Sequence, residues 1–178
     1  MRRDEEYAEL HCHTNYSFLD GASHPEAIVE RAVELGLSAV AITDHDGLYG
    51  AVRMATAGRR AGLRIIIGAE VSDADGHHLT LLARTAEGYA NLSHLLSQAQ
   101  LAGTKGQARL DPSALAERAD GLICLSGCRQ GEIQSCLLAG QRDEALEAAR
   151  RHLSVFGRDG FFIELQNHYL PEDRHLCA

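Results

Sequence analysis

Short, continuous apolar runs alternate along this chain with longer stretches in which apolar residues recur every three or four positions. The first run begins at Tyr7 and gives way to His11-Cys12-His13. Ser38 to Thr43, Arg64 to Gly68, His78 to Ala83, GLICLS and FFIEL follow. Their lengths predict strands, and the unbroken apolar character of Ser38–Thr43 suits a strand covered on both faces. Between them, PEAIVERAVEL places Ile28, Ala32 and Leu35 on one helical face and stops at Gly36, with Ser23-x-x-Glu26 as a capping box and Pro25 in the first turn. Helices are also predicted from about Leu48 to Ala61, from Ala86 to about Leu101, and over DPSALAERA with Asp111 as its cap. Two more follow, one after GCRQGEI and one over the amphipathic ALEAARRHLSVF, which should pack on the outside of the sheet. A turn is expected at Asp75-Gly76.

Strands alternating with helices throughout predict a parallel sheet, barrel-like or doubly wound. A closed barrel needs more strands than the six read here. Another helical pattern is only beginning near Ala178, so the chain reads as an incomplete barrel.

The chemistry collects where those strands end. Along an extended segment residues i and i+2 point the same way, so His11 and His13 aim two imidazoles at one place. Metal binding is the commonest reason for such a pair. Asp20 sits in the loop SFLDGAS, the run SAVAIT ends in Thr43-Asp44-His45-Asp46-Gly47, and the run RIIIG ends in Ala69-Glu70. In parallel α/β folds the active site lies at the carboxyl ends of the strands. Helix caps explain Asp or Ser at such places, but not a gathering of His, His, His and Glu, and the joint pattern reads as a metal site.

Composition narrows the class. With 178 residues, 45% of them hydrophobic, one domain with a real core is expected. Seventeen Lys and Arg against 25 Asp and Glu give a formal charge of -8, so any nucleic-acid contact must be local, with metal ions supplying the positive charge. No stretch is long and apolar enough to cross a bilayer, and MRRDEEYAEL lacks the apolar core of a signal peptide, which points to the cytoplasm. Five cysteines without a CxxC pair read as free thiols, with Cys12 turned away from the metal by alternation. The loop AGTKGQARLD carries Lys105 and Arg109 and reads as a solvated connector or a phosphate-contacting loop.

HCHTNYSFLDGAS, AITDHDGLYG, IIIGAEV, HHLTLLARTAEGYANL and LICLSGCRQGEI together resemble the successive motifs of the polymerase-and-histidinol-phosphatase (PHP) domain. The form resembled is that at the amino terminus of the bacterial DNA polymerase III alpha subunit and its error-prone C-family relatives. AQLAGTKG, LSGCRQGEI and ELQNHYLPED lean toward the error-prone branch. The resemblance spans essentially the whole chain, 1–178. It implies a distorted (β/α)7 barrel, here truncated before its last strand, with two to three divalent ions, zinc or manganese, at the strand ends. His11, His13 and Glu70 would form one site, Asp20 and His45 would belong to a second, and Glu70 would bridge to a third completed by His78 and Cys128. A thiolate at Cys128 suits zinc or another borderline ion better than magnesium. The family's last motif, an Asp-x-His on a seventh strand, is not found, and neither are the polymerase domains.

The chemistry so implied is metal-dependent phosphoester hydrolysis, on a DNA 3′ end as a proofreading exonuclease or on a small monoester. Asp44 is expected to orient an imidazole from behind, and Arg129 to meet substrate phosphate or form a surface salt bridge. His168 follows a strand and could line the site, whereas His24, His94, His152 and His175 need no role there. The expected partners are DNA and the rest of a polymerase chain, with no membrane. Two rival readings stand beside this one: a free-standing small-molecule phosphatase of the same superfamily, and a structural module that binds metal without turnover.

Overall fold

The computed structural model describes residues 7–104, 106–171 and 173–177. Lys105 and the side chain of His175 lie outside the described residues. Among the described residues six strands form one sheet in chain order: β1 (Ala8–Glu9), β2 (Ala39–Ile42), β3 (Arg64–Ser72), β4 (His78–Ala83), β5 (Leu122–Leu125) and β6 (Phe161–Phe162). β1, β2 and β3 run parallel, as do β5 and β6, whereas β4 is antiparallel to both of its neighbours. The all-parallel expectation therefore fails at β4. The cause is local, because the turn Asp73–His77 is far too short for a crossover connection and can only make a hairpin. Asp73 closes that turn by accepting the N–H groups of Asp75 and His77, and Gly76 takes φ +85°.

β3 is also longer than its apolar run predicts. It pairs with β2 over Arg64–Ile67, changes partner, and pairs with β4 over Gly68–Ser72. Gly68 sits at the change, where a Cβ would lie 2.5 Å from the Leu81 carbonyl oxygen. Glu70 consequently stands inside a strand rather than after one.

Among the described residues seven helices accompany the sheet: α1 (Pro25–Glu34), α2 (Ala51–Ala61), α3 (Ala86–Ala102), α4 (Pro112–Glu117), α5 (Glu132–Leu138), α6 (Arg142–Phe156) and α7 (Asp173–Leu176). The cap of α1 is His24 without a side-chain bond, so the expected capping box at Ser23 does not form. Its buried stripe runs through Val29 and Ala32, and Leu35 is exposed. Asp111 caps α4 as its sequence predicts, accepting from the Ser113 N–H. Among the described residues no helix is long and apolar enough to cross a membrane.

Alternation along the strands sorts side chains into two layers. Ala69 and Val71 of β3, Leu79 and Leu81 of β4 and Cys124 of β5 pack outward with Leu92, Leu95 and Leu96 of α3 and Ala145 and Ala148 of α6. Val40 and Ile42 pack with Val29 of α1 and Met54 of α2. The intervening residues face inward, where Ala41, Leu82 and Leu125 form a third cluster with Ile66 and Ile123. Residues of both edge strands line one cavity of about 880 Å3 with Ile66, Leu82, Ile123 and Leu125, so the sheet curls into a half-barrel with helices outside. Among the described residues β1 and β6 do not pair with each other.

Leu81 has no exposed surface and anchors the outer layer at the strand that breaks the parallel pattern. Leu81→Ala should cost about 2–5 kcal/mol of unfolding free energy, measured by urea denaturation. A loss below about 1 kcal/mol would show that the outer layer is not a packed core.

Candidate metal centre

The chain leaves β1 at Glu9, and His11 and His13 follow directly. Their ring centroids are 5.2 Å apart, and both Nε2 atoms lie 2.9 Å from the same Glu70 oxygen, Oε2. Cys12, between them, turns the other way and packs against the cluster of Val29, Val40 and Met54. Beyond β2, Thr43 and Asp44 are buried and His45 bridges to the Glu70 backbone. The His45 ring stacks on His13 at 4.5 Å and brings its Nε2 to 3.2 Å from Asp20.

Glu70 is only 1% exposed. Its neighbours Ala69 and Val71 face the helices, which turns its carboxylate into the half-barrel. The same alternation on β4 sends Leu79 and Leu81 outward and His78 inward, with His78 Nδ1 2.5 Å from Glu70 Oε1. Cys128, from the loop after β5, places Sγ 3.2 Å from that oxygen and 3.6 Å from His78 Nδ1. His11, His13, Asp20, His45, Glu70, His78 and Cys128 thus line one cleft of about 450 Å3. Within it His11/His13/Glu70, His13/Asp20/His45 and His45/Glu70/His78 each offer donor atoms lying within 4.8 Å of one another. A fourth group of that kind, Asp73/Asp75/His77, is in the hairpin turn, and its Asp73 is engaged in closing that turn.

The imidazoles are oriented from behind. Ser17 Oγ–H donates to Asp44 at 2.7 Å, which leaves the Ser17 oxygen to accept from His13 Nδ1 at 3.1 Å and from the His45 N–H at 3.1 Å. Asp44 also accepts from the N–H and the hydroxyl of Thr14. Asp44 thus stands behind the imidazoles, as expected, and reaches His13 through the Ser17 hydroxyl. On the other flank Glu164 Oε1 lies 2.8 Å from His11 Nδ1 and also accepts from Gln166. Both imidazoles therefore hold a proton on Nδ1 and aim Nε2 at Glu70, where in the metal-free cleft it meets the carboxylate as an N–H donor and where it would offer its lone pair to a bound cation. Ser17 and Glu164 escaped the sequence reading. The available signal for Glu164 was its inward register with Phe162 and Gln166 after an apolar strand.

Electrostatics follows from the crowding. Burial alone would push His11 down, but hydrogen bonds to Glu164 and Glu70 outweigh it and raise the group to about 10. The hydrogen bond with Cys128 and then that with Glu70 raise His78 to about 10. Burial would push Glu70 up, yet the bonds from His11, His13 and His78 hold it far below the ordinary carboxylate range. Without a cation, protons on the histidines neutralise Glu70. A divalent cation placed among the same nitrogen, oxygen and sulfur donors would displace those protons, so the donor set fits a metal.

The remaining predicted residues scatter. His168 lines the cleft at its exposed rim. Arg129 forms a salt bridge to the buried Asp173 at 2.7 Å. Arg109 is exposed, while its neighbours Ala108 and Leu110 are buried in the outer core, and the loop does not line the cleft among the described residues.

The sequence profile of the PHP domain matches residues 9–168, and the chain belongs to the PHP domain family. It is 49% identical to the error-prone DNA polymerase of Cutibacterium acnes, over 94% of this chain and 16% of that protein. It is 47% identical to the error-prone DNA polymerase of Mycobacterium tuberculosis strain H37Rv, with the same coverages. The DNA polymerase III subunit alpha of Treponema pallidum is 40% identical over 96% of this chain and 16% of its own length. This chain therefore spans about a sixth of the length of these curated relatives. Among solved structures, a provisionally assigned metal-dependent phosphoesterase from Bifidobacterium adolescentis aligns with a TM-score of 0.46 and 29% identity, over 55% of this chain and 34% of that one.

The two raised histidines fix a pH dependence for the metal-free chain. A group whose folded pKa lies above its unfolded value stabilises fully below the unfolded value and loses that contribution as pH rises through the folded one. Urea stability of the chelator-treated protein should therefore fall as pH rises from 6.5 toward 10. Stability that stays flat or climbs over that interval would contradict the hydrogen-bonded, protonated cluster.

Proposed function

We propose that His11, His13, Asp20, His45, Glu70, His78 and Cys128 hold two to three divalent ions, and that the cleft hydrolyses phosphoesters as a 3′-5′ exonuclease-like site. One observation carries the reading: donors from the segments that follow β1 and β2, from β4 and from the loop after β5 converge on one buried carboxylate of β3. A thiolate and imidazoles in the set favour zinc, with manganese as the alternative. Bound ions would polarise the phosphoryl group and activate water near neutral pH.

The protein's own contribution is placement. Glu164 and Ser17 fix the tautomers of His11 and His13, so that their Nε2 atoms are the ligand atoms. Glu70, with both oxygens engaged from opposite sides, is suited to bridge between neighbouring ions. Asp20, 56% exposed in its side chain, sits at the solvent side, where a ligand can adjust as substrate enters. The rim residues Gln130 and His168 offer hydrogen bonds to substrate phosphate.

The parent protein in this reading is a bacterial C-family DNA polymerase of the error-prone type, working on DNA in the cytoplasm. Support comes from the higher identity to the error-prone relatives than to the polymerase III alpha subunit of Treponema pallidum. Residues 1–178 then form the front part of its PHP domain. The apolar cavity between the edges of β1 and β6 is the place for a further strand of the same polypeptide.

The test is release of nucleotides from the 3′ end of single-stranded DNA by the chain in the presence of zinc or manganese. Release that stops with a chelator, and falls at least a hundredfold in His13→Ala, is the expected result. Metal uptake without any ester hydrolysis would favour the structural-module reading. Hydrolysis confined to small monoesters would favour the free-standing phosphatase.

A further inference from the structure

Phe18 and Leu19 stand in water beside the polar cleft, 85% and 108% exposed, and both line it together with Asp20. Their position is not slack. Ser17, immediately before them, is 1% exposed and bound to Asp44, and its carbonyl accepts the N–H groups of Asp20 and Gly21 at 3.1 and 2.8 Å. Gly21 packs so closely on Thr14 that a Cβ would fall 2.0 Å from the Thr14 carbonyl oxygen. Leu19 itself has φ +69°, a left-handed conformation that a branched, bulky residue adopts only where its surroundings impose it. The loop thus uses a tethered, strained turn to hold two apolar side chains outward, one residue from the candidate ligand Asp20.

A small phosphate monoester seated among the donors would leave these side chains without a contact. A nucleotide would not, because its phosphate can reach the donors while its base offers a flat apolar face to the rim. The wall that completes the cleft carries Gln130, Gln166 and His168, which are polar groups suited to the edges of a base and its sugar. We propose that Phe18, with Leu19 beside it on the rim, is the stacking platform for the terminal base of a single-stranded 3′ end, and so sets the preference for nucleic acid over small esters. This rests on the phosphoesterase reading of the cleft. Every base has a π-face, so the platform selects single strands without selecting sequence.

The experiment uses the whole chain with manganese and an oligonucleotide carrying 2-aminopurine as its 3′-terminal base, protected by a terminal phosphorothioate linkage. Binding to the unsubstituted protein should quench the fluorophore by stacking. Phe18→Ala should weaken affinity about tenfold and abolish the quench, Phe18→Tyr should retain both, and Leu19→Ala should fall between. Because Phe18 is exposed, an unchanged urea midpoint confirms that the variants fold. Equal affinity and equal quench in Phe18→Ala would overturn the platform and leave the pair as a contact for another protein segment. An unsubstituted chain that does not bind the oligonucleotide would overturn it as well. Hydrolysis of glycerol 2-phosphate and of unprotected oligonucleotide is followed in parallel. If neither is cleaved while stacking and its loss in Phe18→Ala persist, the phosphoesterase reading fails and the platform stands.

Discussion

Glu70 is a carboxylate with 1% of its surface exposed, and a charge so placed is tolerated only where opposite charge or hydrogen-bond donors surround it. His11 and His13 meet one of its oxygens, and His78 and Cys128 the other. Those partners need orientation in turn, which Glu164 gives to His11 and the Ser17–Asp44 pair gives to His13. Two further carboxylates are thus held back from the cleft to keep two imidazoles pointed into it. The cluster is a single electrostatic unit. Removing its central charge would leave several donors in a buried site without an acceptor.

The sheet makes this possible by changing direction. A β3 that ended with its apolar run would leave Glu70 on a loop, exposed and free to move. Continuing as the partner of β4, it gains a second ladder of backbone bonds over Gly68–Ser72, and that ladder fixes Glu70 between Ala69 and Val71. The antiparallel return also sets His78 opposite Ser72 at the start of β4, close enough to reach the carboxylate. Position, burial and charge pairing at the site therefore all follow from one hairpin.

Much of this was legible in the sequence. Strand and helix positions follow from apolar run length and periodicity, and β4 has the predicted bounds. His11 and His13 were readable because period-2 alternation is strict, which also placed Cys12 in the core. Three features were not legible, each for a physical reason. Strand direction depends on connection length, and a turn at Asp75-Gly76 does not by itself say that the strand after it reverses. The continuation of β3 past Gly68 depends on a partner strand far better than on local composition. Ser17 and Glu164 act across long sequence separations, and nothing near either residue marks the imidazole it will meet. His78 and Cys128 were reached through family resemblance, and the inward register of β4 supplies the physical reason for His78.

The central claim is that one carboxylate organises a metal site, and metal content by mass spectrometry tests it most directly. The purified chain, loaded with zinc or manganese and then freed of loosely held ions, is measured beside Glu70→Ala. The account predicts near-stoichiometric metal in the unsubstituted protein and almost none in the variant. A folded, unsubstituted chain that takes up no metal, or a Glu70→Ala variant that retains it in full, would contradict it.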